Sequence, residues 1–424
     1  MTAAASRAEF TARYLVESPF PPEQVAEVIA GEQSSGTFLA LPGETDELKE
    51  RSRARVTAIE PLEPAHAPTL HSAFVERREH AGVFHRAEIQ IAFPVGNVGA
   101  NLPTLLATVA GNLFELGEVT ALRLLDLDLP ADYAARFAGP AFGIEGTRRL
   151  AGVQGRPLIG TIVKPSIGLT PAQTAELVDS LCAAGIDFIK DDELMADPPY
   201  APFDERLRAV MPVLQRHADR LGRMPMYAIN VSGSIDDMLR RHDAVLAAGG
   251  SCVMASINGV GPAGIEHLRR HASLPLHGHR NGWGALTRHA GLGFSFAAYQ
   301  KLWRLAGIDH LHVNGIRSKF WESDASVIAS ARACLAPWAG LQPLMPVFSS
   351  GQWAEQAPDL HAALHSTDLM HLAGGGLLGR PDGIAAGVAS LREGWEAAVA
   401  GVSLHRHAET HPALRRALAH FGKT

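Results

Sequence analysis

Lys190 and Asp192 stand two residues apart at the end of an apolar run, and Glu193 follows directly. On an extended strand alternate side chains share a face, so the amine and the first carboxylate point the same way. The loop beyond lets Glu193 turn back to the same point. Two carboxylates suit a hard cation such as Mg2+, which takes oxygen ligands in octahedral array. A free ammonium beside them would repel that cation. Addition of CO2 to neutral Lys190 would make a carbamate, carry the local charge from about −1 to −3, and supply a third oxygen ligand. A salt-bridged Lys–Asp pair closing a barrel interior is the other reading of the same spacing.

Other reactive types recur at comparable places. His277 and His279 share a face, as do His310 and His312, and either pair could give or take protons or steady an oxyanion. Each histidine could equally be a satisfied core residue. Arg280 could grip an anionic group. Ser349, Gly351, Gly374 and Gly375 could hold a phosphate through backbone N–H groups, or the glycines could mark simple tight turns. The string Gly374–Gly379 fits GxGxxG, but too little chain follows it for a dinucleotide-binding half. No HExxH is present and no Ser–His–Asp order stands out, so a zinc protease or serine hydrolase is unsupported. Cys182, Cys252 and Cys334 lie far apart without a CxxC and read as apolar fillers of a protein in the reducing cytoplasm.

The elements that must position these groups are short apolar runs alternating with helix-like stretches. The runs are Pro157–Val163, Ile186–Ile189, Met224–Ile229, Cys252–Ser256, Leu274–Leu276, Ile308–Val313, Leu344–Phe348 and Asp368–Leu372. Alternating strand and helix implies a parallel sheet, and eight such units suit a closed (β/α)8 barrel of the α/β class. An open doubly wound sheet is the alternative. Nearly every run ends in polar residues, and in a parallel barrel the C-terminal strand ends form the catalytic face. Residues 1–140 read as a separate α+β domain, with a helix near Pro22–Gly31, strands in Arg53–Ile59 and Ala87–Phe93, and connections at Phe93–Asn101 and Leu129–Gly146. The barrel domain takes 141–424.

Composition narrows the classes. The 424 residues carry 38 Lys+Arg against 44 Asp+Glu, a net charge of −6, without a basic run, which argues against nucleic acid as partner. No apolar stretch is long enough to span a membrane, and Arg7, Glu9 and Arg13 interrupt any signal-peptide core. Lysine is scarce: only Lys49, Lys164, Lys190, Lys301, Lys319 and Lys423.

These residues together resemble the RuBisCO large chain. Gly160-Thr161-Ile162-Val163-Lys164-Pro165 with Gly168-Leu169, then Gly185-Ile186-Asp187-Phe188-Ile189-Lys190-Asp191-Asp192-Glu193, are similar to its first two barrel strands. The likeness continues through His279-Arg280, Asp309-His310-Leu311-His312, Pro346–Gly351 and Gly374–Gly376, and reaches Glu32–Thr37 and Gly111–Phe114 in the N-terminal part. It implies an α+β domain followed by a (β/α)8 barrel. It implies that Lys190, as a carbamate, binds Mg2+ with Asp192 and Glu193. Lys164 would donate or accept protons at the reacting carbon, and His279 and His312 would line the substrate. Arg280 would hold one anionic end, and Ser349, Gly351, Gly374 and Gly375 a phosphate. Glu32, Thr37 and Asn112 would come from a neighbouring subunit, so at least a homodimer is expected.

The departures are as informative. Ser166 stands where the family has a second lysine, Trp283 where it has a phosphate-site histidine, and Phe38 where it has tryptophan. Lys319 keeps its place in the loop after the sixth strand, in unfamiliar surroundings. The chain therefore resembles the non-carboxylating RuBisCO-like branch. The string His277-Gly278-His279-Arg280-Asn281-Gly282-Trp283-Gly284 and the loop Val313-Asn314-Gly315 look most like the members that decarboxylate 3-oxo-isoapionate 4-phosphate, which implies Arg280 and Asn281 on a substrate carboxylate. A Mg2+-held enediolate would serve decarboxylation, enolisation or isomerisation alike. The alternatives are an enolase or isomerase on a methylthio-sugar phosphate, a Schiff-base aldolase using Lys164 or Lys190, and a catalytically silent sugar-phosphate binder.

Overall fold

The computed structural model describes residues 8–36, 43–78 and 82–422. Thirteen strands follow in order: β1 Glu9–Ser18, β2 Arg55–Ala65, β3 Phe84–Pro94, β4 Ala121–Asp128, β5 Leu158–Ile162, β6 Phe188–Lys190, β7 Met226–Asn230, β8 Cys252–Ser256, β9 Leu276–His279, β10 Leu292–Phe294, β11 His310–His312, β12 Met345–Phe348 and β13 Met370–Leu372. They form one five-stranded sheet, ordered β10-β4-β1-β3-β2, and one closed eight-stranded barrel. The barrel pairs are all parallel. The expected α/β class, with an N-terminal sheet domain and a (β/α)8 barrel, is the architecture found, and the open doubly wound sheet is excluded.

Two compact units divide the chain. One takes the residues through Ala138 with Gly282–Ala306 and Trp338–Leu341; the other takes Gly139–Asn281, Gly307–Pro337 and the chain from Gln342 on. The first includes β10, which pairs parallel with β4 over Leu292–Phe294. Within it β1 is antiparallel to both β3 and β4. The segments read as connections carry short helices instead, Val95–Asn97 in one, and Ala131–Ala134 with the start of Gly143–Ala151 in the other.

In the barrel, strands buried on both faces read as apolar runs, as parallel sheets require. Leu158, Ile162, Phe188, Met226, Ala228, Cys252, Met254, Met345, Val347, Met370 and Leu372 belong to one buried cluster, closed by Ile144, Ala151 and Val153 from and beyond the helix Gly143–Ala151. Burying each large side chain there contributes ~1.5–3 kcal/mol. Helix starts between the strands are set locally. Thr170 and Gln173 make a reciprocal capping box before the helix Pro171–Ala183, and Ser234 and Ser323 cap the helices Ile235–Ala247 and Asp324–Leu335. Strand β9 begins where the apolar run Leu274–Leu276 ends. Its inward side chains are histidines, so hydrophobicity marks only its approach. No helix among the described residues is long and apolar enough to cross a membrane.

Candidate active site

Strand β6 places Phe188 and Lys190 on one side, and Phe188 in the core cluster shows that side to be the barrel interior. Lys190 is 1% exposed. Its Nζ donates to the Asp191 carbonyl at 2.7 Å and lies 3.7 Å from Glu193 Oε2 and 3.7 Å from Met254 Sδ. Burial pushes this amine below the usual lysine range, against the pull of the carboxylates of Glu193, Asp192 and Asp191. A neutral amine is the form that adds CO2.

Asp192, equally buried, faces Lys164 rather than Lys190: Lys164 Nζ is 2.6 Å from Asp192 Oδ2 and donates also to Ser166 Oγ at 2.6 Å. Of the two readings of the Lys190–Asp192 spacing, a direct salt bridge between these two is therefore not what forms. Asn230 at the end of β7 pins the pair of carboxylates from behind, its Nδ2 donating to the carbonyls of Asp192 and Glu193, each at 3.2 Å.

Asp191 points the other way. It is fully buried against Arg206, accepts from the Tyr227 hydroxyl, and takes the Asn230 N–H at 2.9 Å. Alternation along β6 thus separates one structural carboxylate from the two that face Lys164 and Lys190.

The histidines gather as expected from their spacing. His277 Nε2 meets His312 Nε2 at 2.8 Å, and the rings of His279 and His312 lie 4.6 Å apart. His279 Nε2 reaches Glu193 Oε2 at 3.4 Å, and its Nδ1 lies 3.4 Å from Asn281 Oδ1. His312 Nδ1 contacts Ser349 Oγ at 3.0 Å. Burial drives His277 and His312 well below the usual histidine range and His279 down to about 3, so all three are neutral near pH 7.

Arg280 has a partner that spacing did not reveal. Its Nη2 lies 3.4 Å from Glu322 Oε2, which also accepts from Asn314 Nδ2 at 2.7 Å, while Glu322 Oε1 accepts from Ser326 at 2.7 Å. Gly351 takes φ +70° after Ser350 at φ +75°. A Cβ at Gly374 or Gly375 would meet nothing within 4 Å, so the chain itself leaves room for close approach to those N–H groups. Lys319 is exposed, with its ammonium 5.3 Å from the Phe320 ring. Glu32 and Asn112 are exposed on the sheet-bearing unit, at the end of the helix Pro22–Glu32 and at the start of the turn Asn112–Glu115. Thr37 lies outside the described residues.

The chain matches the model for the ribulose bisphosphate carboxylase large chain catalytic domain over residues 143–421 and that for its N-terminal domain over 5–133. This chain belongs to the RuBisCO large-chain family. A RuBisCO-like protein from Burkholderia fungorum shares its fold with a TM-score of 0.93 at 51% identity, covering 98% of this chain and 100% of that one. The RuBisCO of Pyrococcus horikoshii gives 0.87 at 31% identity, covering 100% and 95%. Among curated relatives, the 3-oxo-isoapionate-4-phosphate transcarboxylase/hydrolase of Xanthobacter autotrophicus is 54% identical over 96% of this chain and 98% of its own. The 3-oxo-isoapionate-4-phosphate decarboxylase of Rhizobium etli is 45% identical over 97% and 98%.

The donor set fits the family's Mg2+. Asp192 and Glu193 offer carboxylate oxygens next to Lys190 in the chain, burial pushes the Lys190 amine toward its neutral form, and a carbamate on Lys190 would complete three oxygen donors. Asp192 meets the Lys164 ammonium and accepts the Leu194 N–H at 3.2 Å, and Glu193 lies near the Lys190 amine and the His279 imidazole.

Proposed function

We propose that this RuBisCO-like enzyme decarboxylates 3-oxo-isoapionate 4-phosphate, with Mg2+ held by Asp192, Glu193 and carbamylated Lys190. The observation that carries the chemistry is the convergence of Lys164, Lys190, Asp192 and Glu193 at the ends of β5 and β6. The substrate is supported by two relatives of 54% and 45% identity, both named for acting on it. When bound, the ion supplies Lewis-acid stabilisation of charge on the substrate's oxygens.

The chain's own residues do the rest. Loss of CO2 from a β-keto acid leaves an electron pair on the adjacent carbon, delocalised onto the keto oxygen. Lys164, with its ammonium held by Asp192 and Ser166, donates the proton that this carbon takes. His279, neutral, hydrogen-bonds the substrate without adding positive charge, and His312, also neutral, lines the site and orients Ser349. Arg280 and Asn281 receive the carboxylate before it leaves. Backbone N–H groups at Gly351, Gly374 and Gly375 receive the phosphate, beside Ser349. Lys319, on the loop after β11, closes over the bound substrate. A partner subunit's Glu32, Thr37 and Asn112 segments complete the site in a cytoplasmic homodimer of chains divided at 140/141.

Transcarboxylation with hydrolysis is the second reading, favoured by the name of the 54% identical relative. One assay separates them. Enzyme with Mg2+, bicarbonate and substrate labelled in the carboxyl group should release labelled CO2 stoichiometrically. Retention of the label in an organic acid would assign the second reaction, and no turnover of this substrate would refute both.

A further inference from the structure

The barrel interior holds a run of hydrogen bonds whose direction is dictated from one end. Thr147 Oγ1 touches two groups, the Gly143 carbonyl and His310 Nε2, the latter at 2.8 Å. A carbonyl oxygen only accepts, so the single Thr147 hydroxyl proton goes to Gly143. That carbonyl is held in place. The N–H groups of Phe142 and Gly143 donate to Asp309 Oδ1 at 2.6 and 2.9 Å. Gly143 itself sits at φ +51°, where a Cβ would meet Gln342 Oε1 at 2.7 Å.

Thr147 therefore meets His310 with a lone pair, and His310 donates from Nε2. Its Nδ1 is then bare and lies 3.4 Å from His277 Nδ1, so His277 donates from Nδ1. His277 Nε2 accepts in turn, from His312 Nε2 at 2.8 Å. His312 Nδ1 is left to accept, and Ser349 Oγ, 3.0 Å away, donates to it. One proton per ring is required throughout. Burial keeps His277 and His312 well below the usual histidine range and His310 down to about 3, so each ring is neutral.

We propose that Thr147 is a positioning residue for this site: by committing its proton to the Gly143 carbonyl it sets the tautomers of His310, His277 and His312 in series, and leaves Ser349 to face substrate with lone pairs alone. The chain of tautomers stands apart from the substrate assignment; its kinetic effect rests on the reading given under the proposed function. A phosphate dianion offers only acceptors, so in this order Ser349 takes a hydroxyl proton of a polyol substrate. The phosphate falls to backbone N–H groups.

Neutron diffraction from the deuterated, Mg2+-loaded enzyme reads the order directly. Deuterium is expected on His310 Nε2, His277 Nδ1 and His312 Nε2, with the Ser349 deuteron aimed at His312. Deuterium on His312 Nδ1 or His277 Nε2 overturns the proposal, whatever the substrate proves to be. In parallel, Thr147→Val should lower kcat about 10- to 100-fold, the scale on which losing the partner that orients a metal-ligating histidine acts. Thr147→Ser should restore both kcat and the deuteron pattern. Thr147→Val with unchanged kcat and unchanged deuteron positions, or Thr147→Ser with the defect of the valine variant, also overturns it. Should the valine variant fail to fold, the wild-type map and the serine variant decide.

Discussion

Lys164 Nζ lies 2.6 Å from Asp192 Oδ2, so the residue placed to move a proton already neutralises one of the two carboxylates placed to hold a metal. The ammonium and a divalent cation share that carboxylate, and their repulsion weakens the site for the ion.

Removing the ammonium should therefore tighten the metal while ending the chemistry. Lys164→Met is expected to bind Mg2+ about 2- to 5-fold more tightly, a modest gain because Lys164 is 41% exposed and the pair is partly screened. Turnover should fall by at least about 100-fold, the scale of a lost general acid. Calorimetric Mg2+ titration with parallel kinetics checks both; weaker Mg2+ binding in the variant would contradict this account of the pair.

Asp191 predicts a loss of stability, not of metal. It is buried against Arg206, which is also fully buried. Asp191→Asn leaves that guanidinium without its counter-charge and should cost about 3–5 kcal/mol. Chemical denaturation measures this. A stable variant with lost Mg2+ binding would exchange the roles assigned to Asp191 and Asp192.

Gly375→Ala isolates the proposed phosphate site. The added Cβ meets nothing in the chain within 4 Å and sits at the first position of a helical turn, so Tm should hold. KM for the phosphorylated substrate should rise at least about tenfold, or about 1.4 kcal/mol in binding. An unchanged KM removes these N–H groups from the site.

Acid should destabilise the fold well above the carboxylate range. Burial holds His310 and His371 down to about 3, against 6.5 for the exposed group. Between those values the unfolded chain binds protons that the folded chain refuses. Stability is thus full above pH 6.5 and falls as pH falls, by about 1.4 kcal/mol per unit for each such histidine. Denaturation midpoints at pH 7 and pH 5 test the sign; equal or higher stability at pH 5 contradicts it.

Much of the site was legible because a parallel barrel sends its strand ends to one face. The polar residues closing the apolar runs were thereby gathered without any distance being known. Lys190 and Asp192 were separable from Asp191 by alternation alone. What stayed hidden depends on long-range partners. β10 is three residues long and joins β4 across some 170 positions, so nothing local marks Leu292–Phe294 as sheet. Strand β9 was displaced because its inward residues are His277 and His279, which hydrophobicity does not count. Glu322 beside Arg280, and Thr147 beneath His310, are ordinary polar residues in sequence; only folding brings them to groups 42 and 163 positions away.

The central claim is that Asp192, Glu193 and a carbamate on Lys190 clamp one divalent ion. A crystal structure of active enzyme grown with Mg2+ and bicarbonate tests it most directly. The account predicts added density on Lys190 Nζ and a metal bound at about 2.0–2.1 Å by oxygens from all three residues. An unmodified Lys190, with Asp192 still paired only to Lys164 in crystals that turn over substrate, would contradict it.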